Sequence, residues 1–177
     1  MRDDRPFSQH YDLGDLGRGG AQIEVAAHGE DLARIAQWAG VRAVEDFAAA
    51  VTLTRKSATQ FALDADLVAD IVQDCVVTLE PVRSRIEKPI HRELHVAERV
   101  RLKPHESVPL GAGAGDDEVP EEIESLDYDL AAPLLEEFAL AIDPYPRAPG
   151  AEFAASKEPE ARAENPFAVL KRLKNPS

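Results

Sequence analysis

What the chain lacks narrows its class before any motif is read. A single cysteine, Cys75, among 177 residues excludes an internal disulfide and suits a reducing compartment. No apolar run follows the opening Met1-Arg2-Asp3-Asp4-Arg5-Pro6-Phe7, so no secretory leader is expected, and no stretch has the length needed to span a bilayer. The expectation is a soluble, cytoplasmic protein without membrane contact. Positive charge is scarce: 20 Lys and Arg face 33 Asp and Glu, for a formal net charge of −13. Such a chain is repelled by nucleic-acid phosphate unless it gathers its cations on one face, so its charge points to basic protein partners. Catalytic signatures are missing too, with no glycine-rich phosphate cradle, nucleophile elbow or triad pattern. Glu136 and Glu137 are adjacent on a helix and point apart, which makes a poor acid/base pair. The chain therefore reads as a non-enzyme, with no cofactor and no small-molecule substrate.

What is present is alternation. From Phe61 to Leu79 the odd positions read Phe61, Leu63, Ala65, Leu67, Ala69, Ile71, Gln73, Cys75, Val77 and Leu79, all apolar except Gln73. The even positions include Asp64, Asp66, Asp70, Asp74 and Thr78, with Val68, Val72 and Val76 interleaved. Alternation of this kind marks a strand with one buried and one wet face. A helical stripe through Leu63, Leu67, Ile71 and Cys75 also exists, but Asp66, Asp70 and Asp74 would lie beside it, and the strand is the better reading. At ~3.3 Å per residue it would run about 60 Å, whereas a domain of this size has a radius of gyration of about 15 Å. The strand is therefore expected to curl, bulge or break near Asp64 or Asp70. The fold class that follows is α+β, a curved antiparallel sheet or partial barrel with a few flanking helices.

The rest of the chain is arranged around that stretch. Residues 1–20 are polar and glycine-rich and read as an N-terminal arm; residues 21–150 read as a single α+β domain. Within it, Gln22 to Ala26 is a short strand. His28-Gly29-Glu30-Asp31 opens a helix whose stripe is Leu32, Ile35, Ala36 and Ala39 and whose stop is Gly40, with Trp38 at its rim. Val44 to Thr54 alternates again, and Arg55-Lys56-Ser57-Ala58 makes a hairpin turn into the central strand. Glu80-Pro81 interrupts the ladder, because proline cannot donate to it. From Val82 to Leu102, Val82, Ile86, Ile90, Leu94, Val96, Val100 and Leu102 share one face of one or two further strands. Residues 103–127 read as an acidic loop. Pro133 starts a second helix at its first position, carrying Leu134, Leu135, Phe138, Ala141 and Ile142, and Asp143-Pro144-Tyr145-Pro146-Arg147 ends it. Residues 151–177 are expected to form a flexible linker and a short C-terminal helix.

Two segments suit a protein partner. Asp116, Asp117, Glu118, Glu121 and Glu122 form an acidic run without a base. In the tail, Asn165 is a helix cap, Pro166 occupies the first helical position, and Phe167, Leu170 and Leu173 form a stripe, with Lys171 and Arg172 toward the C-terminal end. About nine residues cannot hold a helix alone in water, so the segment docks on its own domain or folds on a partner. A direct RNA reading rests on Arg83, Arg85, Arg99, Arg101 and Lys103, which share the wet face of the strand region after Pro81. Against it, no aromatic residue interrupts that ribbon to stack bases, and a merely solvated face explains the same pattern. No metal site is expected: His91 and His95 on one strand face would stand about 13 Å apart, and His91-Arg92-Glu93-Leu94-His95 is not the zincin order. Cys75 falls on the apolar face as a buried, inert thiol.

Three stretches carry a resemblance. Val72-Gln73-Asp74-Cys75-Val76-Val77-Thr78-Leu79-Glu80-Pro81-Val82, the Leu126 to Ile142 segment with its following Asp143-Pro144-Tyr145-Pro146-Arg147 turn, and Asn165-Pro166-Phe167-Ala168-Val169-Leu170-Lys171-Arg172-Leu173-Lys174 occur in this order. The chain resembles the YceD-like family of large ribosomal RNA subunit accumulation proteins, bacterial and plastid. The resemblance implies support of large-subunit ribosomal RNA build-up during ribosome assembly. Many relatives have a Cys-x-x-Cys pair where this chain has Cys75-Val76-Val77-Thr78, and His and Cys after the helix where it has Pro146-Arg147-Ala148-Pro149-Gly150. Only Cys75 remains here, so a four-ligand zinc site is not carried over. The leading expectation is a non-catalytic assembly factor that contacts a ribosomal protein or pre-ribosomal particle. Direct RNA binding is the alternative, and a metal-dependent nuclease or hydrolase using Asp116, Asp117 or Glu118 is a third reading.

Overall fold

Two-residue periodicity decides the architecture of the computed structural model, which describes residues 5–97 and 120–152. The chain runs β1 (His10–Asp12), a 3-10 turn (Leu13–Asp15), β2 (Ala21–Ala26), α1 (Glu30–Ala39), β3 (Ala43–Arg55) and β4 (Gln60–Asp74). It continues through β5 (Pro81–Val96), β6 (Glu121–Ile123), β7 (Asp127–Asp129) and α2 (Ala131–Ala141). The main sheet has five strands in the order β2-β3-β4-β5-β6, and β1 pairs with β7 in a second sheet of two. The fold is mostly sheet with two helices among the described residues.

The expected antiparallel sheet or partial barrel is corrected in two respects. The sheet is mixed, because β6 runs parallel to β5, pairing Leu94 to Val96 with Glu121 to Ile123. It is also open, with β2 and β6 at opposite edges. Helices remove the need for closure: α1 lies against β3, and α2 against β5 and β4. Their apolar stripes cover the same sheet face, so Leu63, Leu67, Ala69, Ile71, Ile86, Ile90 and Leu94 are buried together with Ile35, Leu134, Leu135 and Phe138. Phe47 on β3 is the junction, meeting Phe138 edge-on at 5.4 Å between ring centroids and Phe7 at 6.5 Å.

The central strand is real but shorter than its apolar pattern. β4 ends at Asp74, and Cys75 to Glu80 forms a turn in which the Cys75 amide donates to the Glu80 carbonyl at 2.8 Å. Leu79 takes a left-handed φ of 61° there and stands exposed, so its apolar character carried no strand information. Pairing of Asp74 with Pro81 then returns the chain along β5. The bulge or break expected in the central strand near Asp64 or Asp70 is absent from β4, whose pairing with β5 runs unshifted from Gln60 to Asp74; the register shift lies on the neighbouring strand, between Val44 and Asp46, opposite Ile71 and Asp70. Proline is tolerated at Pro89 because the β6 side of β5 is paired only from Leu94 onward. Helix α1 keeps its expected limits, with Gly40 in the left-handed conformation accepted at helix ends. Pro133 is the third residue of α2 rather than its first, still within the turn whose amides need no helical partner.

Two further boundaries change. The residues expected as an N-terminal arm contribute β1, and Leu13 and Leu16 enter the core. The fastener is Asp129, a carboxylate buried beside the start of α2. Its Oδ1 accepts from the Gln9 amide at 2.8 Å and the Ala131 amide at 3.1 Å, and its Oδ2 lies 3.1 Å from Arg5. Arg55, read as a turn residue, donates to the carbonyls of Leu13, Gly14 and Leu16 and lies over the Phe61 ring. The region expected as acidic loop contributes β6, and Asp127 at its end opens β7. The C-terminal linker and helix lie outside the described residues beyond 152.

The Asp129 contacts generate a paired expectation. Asp129→Ala strands two amides and lowers unfolding free energy by about 2–3 kcal/mol, whereas Asp129→Asn keeps an acceptor and recovers most of that loss. Urea denaturation of both variants checks this, and equal losses would contradict it.

Candidate functional site

The face of the sheet opposite the helices is set by the same alternation that fills the core. Cross-strand pairing aligns its side chains in rows: Gln22, Thr52, Asp64 and His91, then Glu24, Ala50, Asp66 and Pro89, then Ala26, Ala48, Val68 and Glu87. A further row holds Asp46, Asp70 and Arg85. Acids occupy β4 and cations gather on β5, and the two strands neutralise one another. Arg85 Nη1 lies 3.0 Å from Asp70 Oδ2, and its Nε lies 2.8 Å from Glu87 Oε1. Arg83 Nη2 lies 3.0 Å from Glu45 Oε1, and His91 Nδ1 lies 2.6 Å from Asp64 Oδ1. Glu87 first, and Asp70 after it, raise the Arg85 pKa above its ordinary value. These pairs are exposed, so solvent screening keeps each of them weak. Their importance is that Arg83 and Arg85 have counter-ions already.

Of the proposed RNA-contacting cations, Arg83 and Arg85 therefore sit together on β5, in ion pairs, while Arg99, Arg101 and Lys103 lie outside the described residues. Of the proposed partner-contacting residues, Glu121 and Glu122 are exposed on β6, and Glu121 accepts a hydrogen bond from the Tyr128 hydroxyl at 3.2 Å. Asp116, Asp117, Glu118, Pro166, Phe167, Leu170, Lys171, Arg172 and Leu173 lie outside the described residues. Sequence reasoning set Glu136 and Glu137 aside as a divergent pair. Both in fact approach Arg92 Nη2, at 3.4 and 2.7 Å. Arg92 sits in the inward-facing register of β5, across from Leu63, and an arginine in the register of Ile86, Ile90 and Leu94 was the available signal.

A second assembly forms where two loops meet. Cys75 is fully buried, and its Sγ accepts hydrogen bonds from the amides of Val77 at 3.4 Å, Thr78 at 3.4 Å and Ala148 at 3.3 Å. The Val76 amide donates to the Pro146 carbonyl at 2.9 Å, joining the loop after β4 to the loop after α2. Gln73 adds a third tie, its side chain donating to the Asp143 carbonyl at 2.8 Å. Hydrogen bonding from Thr78, then from the Ala148 amide, lowers the thiol pKa from 9.0 to about 6 against the opposing effect of burial.

A model of the family described as Large ribosomal RNA subunit accumulation protein YceD matches residues 63–174. The chain belongs to the YceD family. No curated protein and no solved structure matches it. The family match runs from Leu63 within β4 through β5, α2 and both loops at the Cys75 junction. It places the protein among factors named for large-subunit ribosomal RNA accumulation. At the Cys75 junction, where the resemblance raised the question of zinc, the donor set does not fit that metal. One sulfur, engaged by three amides, faces Thr78, Pro146 and Ala148 rather than further soft ligands. Among the described residues no helix is long and apolar enough to cross a membrane.

The Cys75 shift carries a signed pH dependence. A thiol whose folded pKa is lowered from 9.0 to about 6 adds stability as pH rises through that interval and loses it as pH falls through about 6. The denaturation midpoint of the wild type, relative to Cys75→Ala, is expected to climb over that interval and to level below it. Parallel curves for the two proteins would show that the thiol does not titrate there.

Proposed function

We propose that this YceD-family chain supports large-subunit ribosomal RNA accumulation as a non-catalytic, cytoplasmic factor acting through protein contacts. The partner is a basic ribosomal protein or a pre-ribosomal particle that exposes one. The observation that carries this reading is the state of the β5 ribbon. Arg83 and Arg85 are held by Glu45, Asp70 and Glu87, so an incoming phosphate meets carboxylates beside each cation. A net charge of −13 adds long-range repulsion toward RNA and attraction toward a lysine- and arginine-rich protein. Complementary charge of this kind speeds encounter and enforces partner choice more than it adds affinity.

In this reading Glu121 and Glu122 on β6, continuing the run from Asp116, Asp117 and Glu118, supply the acidic contact. Pro166, Phe167, Leu170, Lys171, Arg172 and Leu173 supply the anchor, in which an apolar side chain contributes about 1.5–3 kcal/mol when fully covered. Catalysis has no part in it.

Affinity purification of the tagged full-length chain, with protein and RNA measured in one eluate before and after ribonuclease, tests the proposal. Ribosomal proteins are expected to remain after ribonuclease, and Phe167→Asp is expected to weaken their capture about 10- to 100-fold. Capture that vanishes with the RNA, and falls with salt at a log–log slope of about 0.9 or less per phosphate contact, would favour the RNA-binding reading instead.

A further inference from the structure

No described helix covers the outer face of the sheet, since α1 and α2 pack on the other side. Its rows from β2 to β4 hold Glu24, Asp46, Asp64, Asp66 and Asp70, and no lysine or arginine. Asp70 has a counter-ion on β5 in Arg85, and Asp64 Oδ1 lies 2.6 Å from His91 Nδ1. Glu24, Asp46 and Asp66 have no ion partner among the described residues. Asp46 stands directly across from Asp70, and like charges so placed repel unless a cation joins them. Glu24 and Asp66 flank Ala50 from the two neighbouring strands, so their backbones are about 10 Å apart at ~4.8 Å per strand.

The floor between these carboxylates is low. Ala48, Ala50, Thr52 and Val68 carry small side chains, and the surface sinks into a hollow of about 610 Å³ lined by them with Gln22, Glu24 and Asp66. A second hollow of about 510 Å³ shares Ala50, Thr52 and Asp66 and extends the depression to Pro89 and His91. The result is a trough across β2 to β5 with small or apolar side chains below and carboxylates on its banks.

We propose that this trough docks a lysine- and arginine-rich polypeptide segment of a partner protein, with small residues between its basic ones. The proposal rests on the protein-contact reading above and gives that contact a second surface, separate from the acidic run and the tail. The segment's small residues lie on the alanine floor, and its cations reach Glu24, Asp46 and Asp66. Phosphate is repelled by the same carboxylates, and a second copy of this chain, itself at −13, is a poor occupant.

Fluorescence anisotropy of the full-length protein with a labelled peptide alternating Lys or Arg with Ala tests the surface, with folding checked by circular dichroism. Asp66→Lys is expected to weaken binding by tenfold or more at low salt. Ala50→Trp fills the trough without changing charge and is expected to do the same, because Ala50 is exposed and its neighbours need not move. Glu30→Lys, an equal charge change on α1, is expected to leave affinity within twofold. Loss with Glu30→Lys as large as with Asp66→Lys, or no loss with Ala50→Trp, would overturn the proposal. Equal or tighter binding of a single-stranded RNA of matching length would overturn it as well. Charge reversal at Lys171, Arg172 and Lys174 is expected to leave peptide affinity unchanged; a severalfold gain would show that the chain's own tail occupies the trough and would refute the partner. Phe167→Asp separates the two surfaces, because it is expected to weaken capture of ribosomal proteins and to leave peptide affinity unchanged. Failure of the unsubstituted chain to capture ribosomal proteins, with peptide binding intact, sinks the assembly reading alone, and capture indifferent to Asp66→Lys and Ala50→Trp sinks the trough alone.

Discussion

A slip of one residue in the pairing of β4 would turn Asp64, Asp66 and Asp70 into the core and put Leu63, Leu67 and Ile71 into water. The cost of burying several unpaired carboxylates prohibits it. β4 is held in register on both sides, by β3 from Phe61 to Val72 and by β5 from Gln60 to Asp74. Every other feature inherits that register. The inward set meets Phe47 and Phe138 under the helices, and the outward set makes an acid-lined surface. The bulge between Val44 and Asp46 is the one place where β3 adjusts to β4, and it leaves Asp46 facing Asp70.

The pairing of β4 with β5 also governs what the cations can do. An arginine on a strand face is a phosphate ligand only if its neighbours leave its charge unspent. Here Asp70 lies directly across from Arg85, and Glu45 meets Arg83, so both outward arginines of the described ribbon have counter-ions. Glu24 on β2 and Asp46 on β3 have no ion partner among the described residues and keep their field. A face that looks cationic when one strand is read alone becomes acidic when four strands are placed side by side.

The Cys75 junction shows a different consequence of the fold. Two loops that the family resemblance marks as ligand-bearing elsewhere meet here through amides alone, with one sulfur as their common acceptor. Backbone hydrogen bonds and the Gln73 tie to Asp143 do the joining that a metal would otherwise do. The same economy recurs at Asp129, where one buried carboxylate binds the chain's first described residues to the start of α2.

How much of this was legible follows from how far apart the interacting residues are. The hairpin of β3 and β4, the inward face of β5, helix α1 with its Gly40 stop and helix α2 were all readable, because each depends on a period of two or 3.6 residues within one segment. The apolar run through Cys75, Val77 and Leu79 misled for the same reason: alternation continues on paper where the turn has begun. The parallel return of β6, the burial of Leu13 and Leu16, and the neutralised ribbon were not readable. They depend on partners on different elements, such as Gln9 and Asp129, 120 positions apart, or Arg83 on β5 and Glu45 on β3. Local periodicity by itself determined which residues face inward and which face water. Only the tertiary structure decided which charges meet, because a salt bridge or buried amide needs two groups within about 3 Å, and no pattern along the chain brings them there.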